Sequence, residues 1–235
     1  MLILGLLSSC TQNLFTTKKP LVAASAFDVG SGYQYRLRKD DKMSLSVWDH
    51  EELSVGSIYG HYSVNENEGK WLLVDATGGL NVPRVGNYHI EGLTVPEAEE
   101  LLEKVLSKWI VGPQLTLKVL NMETTVLGEV GIPGKQRLEK ERNTLVEVLG
   151  KAGDFGAYAD KRHVKVLRQN ATGTQTTEVD LTQLNSFERN NLIIVPGDVV
   201  YVPAKNGKQF DRKAPSVLGI ASIVSTILIL TRFFL

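Results

Sequence analysis

The chain has 235 residues, with 26 basic and 26 acidic side chains and a single cysteine. That length suits one large domain or two small ones with tails. Balanced charge leaves no basic surplus for nucleic acid, and a lone thiol excludes an internal disulfide and any metal site built from cysteines.

Leu2 to Leu7 is apolar and runs into Ser8, Ser9 and Cys10. A signal peptide has a basic start, an apolar stretch and small residues before its cut. The small residues are here and the basic start is not, which suggests that the true start lies upstream or that Met1 is internal. Leu7-Ser8-Ser9-Cys10 resembles the bacterial lipobox, in which the cut falls before a lipid-bearing cysteine. The expectation is a signal peptide over 1–9, lipidation of Cys10 and attachment to membrane lipid. The alternative is a frayed end with a chance thiol. Residues 10–32, small and polar around Lys18-Lys19-Pro20, read as a lipidated tether.

Tyr33 to Arg38 alternates weakly, Asp40-Asp41 turns, and Met43 to Trp48 alternates strictly, as a half-buried strand does. Leu72–Asp75 and Leu80–Pro83 bracket the turn residues Thr77-Gly78-Gly79, and Val85–Ile90 is extended. Thr94-Val-Pro-Glu97 is a capping-box pattern, and Ala98, Leu101, Leu102, Val105, Leu106 and Trp109 then recur at helical spacing. Glu99, Glu100 and Glu103 fall on the other face, which predicts a solvated side. Gly112-Pro113 ends the helix and Leu115–Val119 alternates again.

A second unit starts at Thr124. Val126–Val130 is extended, Gly131-Ile-Pro-Gly134 turns, and Thr144-Leu-Val-Glu147 caps a second helix that Gly153 ends. Strands follow at His163–Arg168, Glu178–Leu181, Leu192–Val195 and Val199–Val202, the last entered through Pro196-Gly197-Asp198. That entry loosely echoes Lys39-Asp40-Asp41, a weak internal repeat. The coarse fold class is α+β, in two units of a few strands around one helix.

Lys205, Lys208, Arg212 and Lys213 make a basic linker over 205–214, and Ala214 to Thr231 carries no charge. That length sits at the short limit for a transmembrane helix, expected over 215–235. Ser216, Gly219, Ser222, Ser225 and Thr226 recur three to four apart on one face of it, and small residues let helices approach closely.

Chemistry is sparse. His50, His61, His89 and His163 form no i,i+4 pair, and no phosphate loop or nucleophile elbow is present. No metal or cofactor is implied, no catalytic residue stands out, and the reading is that the protein is not an enzyme.

Ordered along the chain, these pieces resemble a known family. Tyr35 to Trp48, Val74-Asp-Ala-Thr-Gly-Gly-Leu-Asn-Val-Pro-Arg-Val-Gly86 and Gly92-Leu-Thr-Val-Pro-Glu-Ala98 resemble the bacterial polysaccharide export domain, here 33–121. Val126 to Gly134, Thr144–Glu147, Ala152-Gly153, Val164–Arg168 and Pro196–Pro203 resemble the β-grasp-like SLBB module, here 122–204. Arg38-Lys39-Asp40-Asp41 stands where the family usually has Pro-Gly-Asp. The resemblance to these Wza-like outer-membrane export proteins implies a lipoprotein whose body is periplasmic. It implies a homo-oligomeric ring that passes capsular or exopolysaccharide, met from below by an inner-membrane co-polymerase or kinase that determines chain length. Under that reading the small-residue face of the C-terminal helix would line a pore; a plain single-span anchor is the alternative for the helix. A monomeric periplasmic lipoprotein that binds glycan without conducting it is the alternative for the whole chain.

Overall fold

The computed structural model describes residues 14–15, 21–30, 32–55, 71–170, 173–183 and 191–205. They fall into two compact units, each with its own core. One holds residues 29–123 and 137–143; the other holds the chain up to residue 28, 124–136 and the residues from 144 onward.

In the unit built around 29–123, β1 (Lys42–Val47), β2 (Leu72–Leu73) and β5 (Leu115–Val119) form an antiparallel sheet in the order β2-β1-β5. Met43 lies opposite Val119 and Val47 opposite Leu115. Alternation does what it must here: Met43, Leu45 and Val47 are buried with Leu115, Leu117 and Val119, and the residues between them face away. β3 (Gly79–Val82) and β4 (Gly86–His89) make a separate hairpin. The preceding loop is held by Asp75, whose carboxylate accepts from the Thr77 and Gly79 N–H groups at 2.8 and 2.9 Å and from the Thr77 hydroxyl at 2.6 Å. Those donors, the Thr77 hydroxyl foremost, hold the Asp75 carboxyl well below its ordinary range.

α1 (Val95–Leu106) covers the apolar side of the sheet with Ala98, Leu102 and Leu106, and Val105 is buried as well. Thr94 and Glu97 form the full expected capping box, worth about 1 kcal/mol. The carboxylates read as a solvated side have structural work instead. Glu99 accepts from the Leu117 N–H at 2.8 Å and Glu103 from the Leu115 N–H at 3.2 Å. These N–H groups lie on the free edge of β5, so the helix blocks an edge that would otherwise invite another strand. Residues 137–143 return to this unit: Leu138 is buried and donates its N–H to the Met122 carbonyl at 2.8 Å.

The other unit has a five-stranded sheet in the order β10-β9-β12-β6-β7, made of β6 (Glu123–Gly128), β7 (Gly134–Arg137), β9 (Val164–Asn170), β10 (Gly173–Val179) and β12 (Val199–Val202). β12 runs parallel to β6 and antiparallel to β9. β8 (Asn143–Thr144) pairs with β11 (Ile193–Ile194), and α2 (Leu145–Lys151) buries Leu145, Val148 and Leu149 behind its own Thr144–Glu147 capping box. Gly128 sits at φ +96°, and a Cβ there would collide with the Val202 carbonyl. That glycine is required by the close approach of β6 to β12. β7 and the first half of β10 escape a reading by alternation, because Lys135-Gln136-Arg137 and Thr174 to Thr177 carry no apolar residue.

The expected fold class, α+β ending in a transmembrane helix over 215–235, is corrected. The described residues are dominated by strands, with two α-helices of 12 and 7 residues. Crossing a membrane takes about 20 mostly apolar residues, and no described helix is long and apolar enough to do so. Both are two-faced helices that spend their apolar side on their own unit. Ser216, Gly219, Ser222, Ser225 and Thr226 lie outside the described residues.

Candidate functional site

Two turns organise the two units, and they share a construction. In Arg38-Lys39-Asp40-Asp41 the Asp41 N–H donates to the Arg38 carbonyl at 3.2 Å, while the Arg38 N–H donates to the Asp41 carboxylate at 2.7 Å. In Val195-Pro196-Gly197-Asp198 the same bonds measure 3.1 and 2.9 Å. The third residue has positive φ in both, +65° at Asp40 and +94° at Gly197. The aspartate's carbonyl then accepts from an adjoining segment, Val74 N–H for Asp41 and Thr125 N–H for Asp198. Each turn feeds directly into a strand, β1 or β12.

The two carboxylates are satisfied differently. Asp41 takes the Tyr35 hydroxyl at 3.0 Å, and both are buried. Burial pushes the Asp41 carboxyl above its ordinary value despite these bonds. Burial, and next the neighbouring Asp41 charge, push the Tyr35 hydroxyl well above its own, so Tyr35 stays a donor. Asp198 instead meets Arg168 in a two-pronged ion pair, Nε to Oδ1 at 2.8 Å and Nη2 to Oδ2 at 2.7 Å. The remaining guanidinium donors reach the carbonyls of Phe27 at 3.1 Å and Ile193 at 3.0 Å. The guanidinium also lies over the Phe27 ring, 5.1 Å from its centre.

Arg168 thereby ties down the segment that follows Cys10. Phe27 is 1 % exposed, and Val22 donates its N–H to the Thr176 carbonyl at 2.9 Å, on β10. Further back, the Leu14 N–H donates to the Tyr201 hydroxyl at 3.0 Å, and the Phe15 ring meets Tyr201 edge-on at 5.5 Å. The stretch read as a lipidated tether is fastened, where it is described, along the SLBB-like unit. Its small polar composition hid this, because the fastening uses backbone groups and two aromatic rings rather than an apolar run. Cys10 itself lies outside the described residues.

The described histidines come to no common centre. His50 contacts Glu52 at 2.9 Å, His163 contacts Asp160 at 2.8 Å, and His89 ends β4. His61 lies outside the described residues. Among the described residues no three His, Cys, Asp or Glu side chains are grouped to hold a metal.

Comparison with known proteins follows the same division into units. Residues 29–120 match the family described as polysaccharide biosynthesis/export protein, and residues 123–202 match the SLBB domain. The chain is 29% identical over 180 residues to the EPS I polysaccharide export outer membrane protein EpsA of Ralstonia nicotianae, covering 72% of this chain and 47% of that one. It is 24% identical over 190 residues to the capsule polysaccharide export outer membrane protein CtrA of Neisseria meningitidis, covering 77% and 48%. With the capsule polysaccharide export protein BexD of Haemophilus influenzae it shares 22% over 210 residues, covering 84% and 51%. The chain spans about half the length of these curated relatives.

Proposed function

We propose that this chain, which belongs to the polysaccharide biosynthesis/export protein family and carries an SLBB domain, serves in exporting capsular or exopolysaccharide across the outer membrane. The observation that carries the reading is the ordered pair of matched domains, 29–120 then 123–202, shared with relatives named as export outer membrane proteins. Transport of this kind changes no bond; among the described residues the buried Asp41, Thr94, Thr124, Asn143 and Asp198 are engaged in turns, a helix cap and clasps.

In this reading Cys10 carries lipid in the outer membrane and the body lies in the periplasm. Copies assemble into a ring, and an inner-membrane co-polymerase meets it. The fastening of Leu14, Phe15 and Phe27 supports the lipid attachment mechanically. Leu14 follows Cys10 by four positions, a reach of at most about 14 Å, so an acylated Cys10 would hold the SLBB-like unit close to the lipid surface.

Deleting the gene and measuring surface polysaccharide tests the export reading: undiminished polysaccharide rejects it. Labelling with a palmitate analogue tests the anchor, since Cys10→Ala should abolish incorporation and equal labelling would reject lipidation. Particle size in mild detergent tests the ring; a monomer at all concentrations would favour a binding lipoprotein.

A further inference from the structure

One face of the β2-β1-β5 sheet is spent on the core and on α1. The other, among the described residues, is exposed, and it carries two tryptophans beside two lysines. β1 presents Lys42, Ser44 and Ser46 there, and β5 presents Thr116 and Lys118. Leu73 of β2 lies opposite Lys42, and one step along the same register places Trp71 beside Ser44. Trp71 is 38% exposed, and the Lys42 ammonium stands 4.5 Å from the centre of its ring. At the far end Trp48, 62% exposed, donates its N–H to the Gln114 carbonyl and extends the ladder by one row. Lys118 lies directly across from Ser44, in the row of Trp71.

We propose that this face binds a strand of acidic polysaccharide, an inference that rests on the export reading and names the class of its cargo. Three features point to that occupant. The two tryptophans stand at rows four residues apart on β1, a span of about 13 Å, so they can support separate sugar rings through their C–H faces. Between them lie the Ser44 and Thr116 hydroxyls, which can exchange hydrogen bonds with sugar hydroxyls on equal terms. The two lysines supply positive charge, and no outward position of the three strands is acidic; Asp49, Glu51 and Glu52 lie past Trp48, where Glu52 is occupied by His50. A neutral glycan would use the rings and hydroxyls alone and gain nothing from the positive charge of Lys118 and of Lys42, which already stands over Trp71. An acidic one uses all three.

Exposed and weakly charged, such a face grips loosely, which suits a polymer that must keep moving. Weak contacts repeated on several copies would add by effective concentration without any one of them holding fast.

The test uses the full-length purified chain, with tryptophan fluorescence read against oligomers of polygalacturonate and against dextran as the neutral probe. Polygalacturonate should give a saturable change that weakens as salt is raised, while dextran gives little. Lys42→Gln and Lys118→Gln should each weaken binding by up to about fivefold, the scale of one exposed ion pair. Trp71→Leu should weaken both its signal and its affinity. Because both lysines are exposed and only Lys42 gives up a contact, with Trp71, the double lysine variant should still fold, and it remains a valid test if Trp71→Leu misfolds. No saturable binding overturns the inference, as does binding unchanged in the double lysine variant. An equal response to dextran overturns the acidic class. Loss of surface polysaccharide on gene deletion, together with no binding here, overturns this face alone; undiminished polysaccharide on deletion overturns the export reading, and the titration still decides the face.

Discussion

The turn at Arg38–Asp41 and the turn at Val195–Asp198 make the same backbone bonds and then diverge in what faces the carboxylate. Asp41 is met by a neutral phenol, Asp198 by a full guanidinium. A phenol can be contributed from six residues away, and Tyr35 leaves the site largely local to one segment. A guanidinium brings four directed donor contacts, and Arg168 uses them to join β9, the turn, Ile193 and the N-terminal segment at Phe27. The lesson is that one turn geometry can serve as a local strand starter or as the hub of a clasp, according to the donor that faces it.

The largest break should come at the clasp. Asp198→Ala leaves Arg168 with an uncompensated charge that is only 13 % exposed, and should cost about 3–5 kcal/mol of the SLBB-like unit's stability. Urea unfolding measures this, and a loss under 1 kcal/mol would show that Arg168 finds another partner. Tyr35→Phe, the matching change in the other turn, removes one neutral donor and should cost about 1–2 kcal/mol. Equal losses at the two sites would erase the distinction between the two turns.

Exchanging the third residues sharpens the comparison. Gly197→Asp places a side chain at φ +94°, away from the left-handed minimum, and should cost about 1–2 kcal/mol. Asp40 already sits near that minimum at φ +65°, so Asp40→Gly should stay within about 1 kcal/mol of neutral. Thermal unfolding of the pair decides it, and a larger loss at Asp40→Gly than at Gly197→Asp would contradict the shared geometry.

The smallest effect is in pH. The Asp41 carboxyl is raised in the fold, so its contribution is fully present below the unfolded value of 3.8 and is lost as pH rises through its folded value. Asp75 is lowered, so its contribution is present above 3.8 and lost as pH falls. Asp75→Asn should therefore flatten the acid side of the stability profile, and Asp41→Asn the side above 3.8. Urea midpoints between pH 2.5 and pH 6 would show the two slopes; identical slopes in both variants would refute the opposed signs.

Much of each unit was legible in the chain. Strict alternation marked β1 and β5, and two Thr-x-x-Glu patterns marked both helix starts with their capping boxes. The weak echo between Lys39-Asp40-Asp41 and Pro196-Gly197-Asp198 proves to be a shared turn. The edge guard by Glu99 and Glu103 was not legible. Helical spacing places them away from the apolar stripe, and spacing carries no information about which unpaired N–H groups lie beside that stripe's margin.

What the sequence by itself determined are the features set by neighbours within one turn or one strand: alternation, caps, the glycines and aspartates that take positive φ, and the order of motifs that marks the family. The tertiary structure alone decided the partnerships across long separations. Arg168 choosing Asp198 and Phe27, residues 137–143 returning to the first unit, the docking of the N-terminal segment and the open lysine–tryptophan face all belong there. The physical reason is that local preferences follow from backbone sterics and side-chain spacing, whereas a buried charge or an orphan N–H is satisfied by whatever the completed fold brings within about 3 Å.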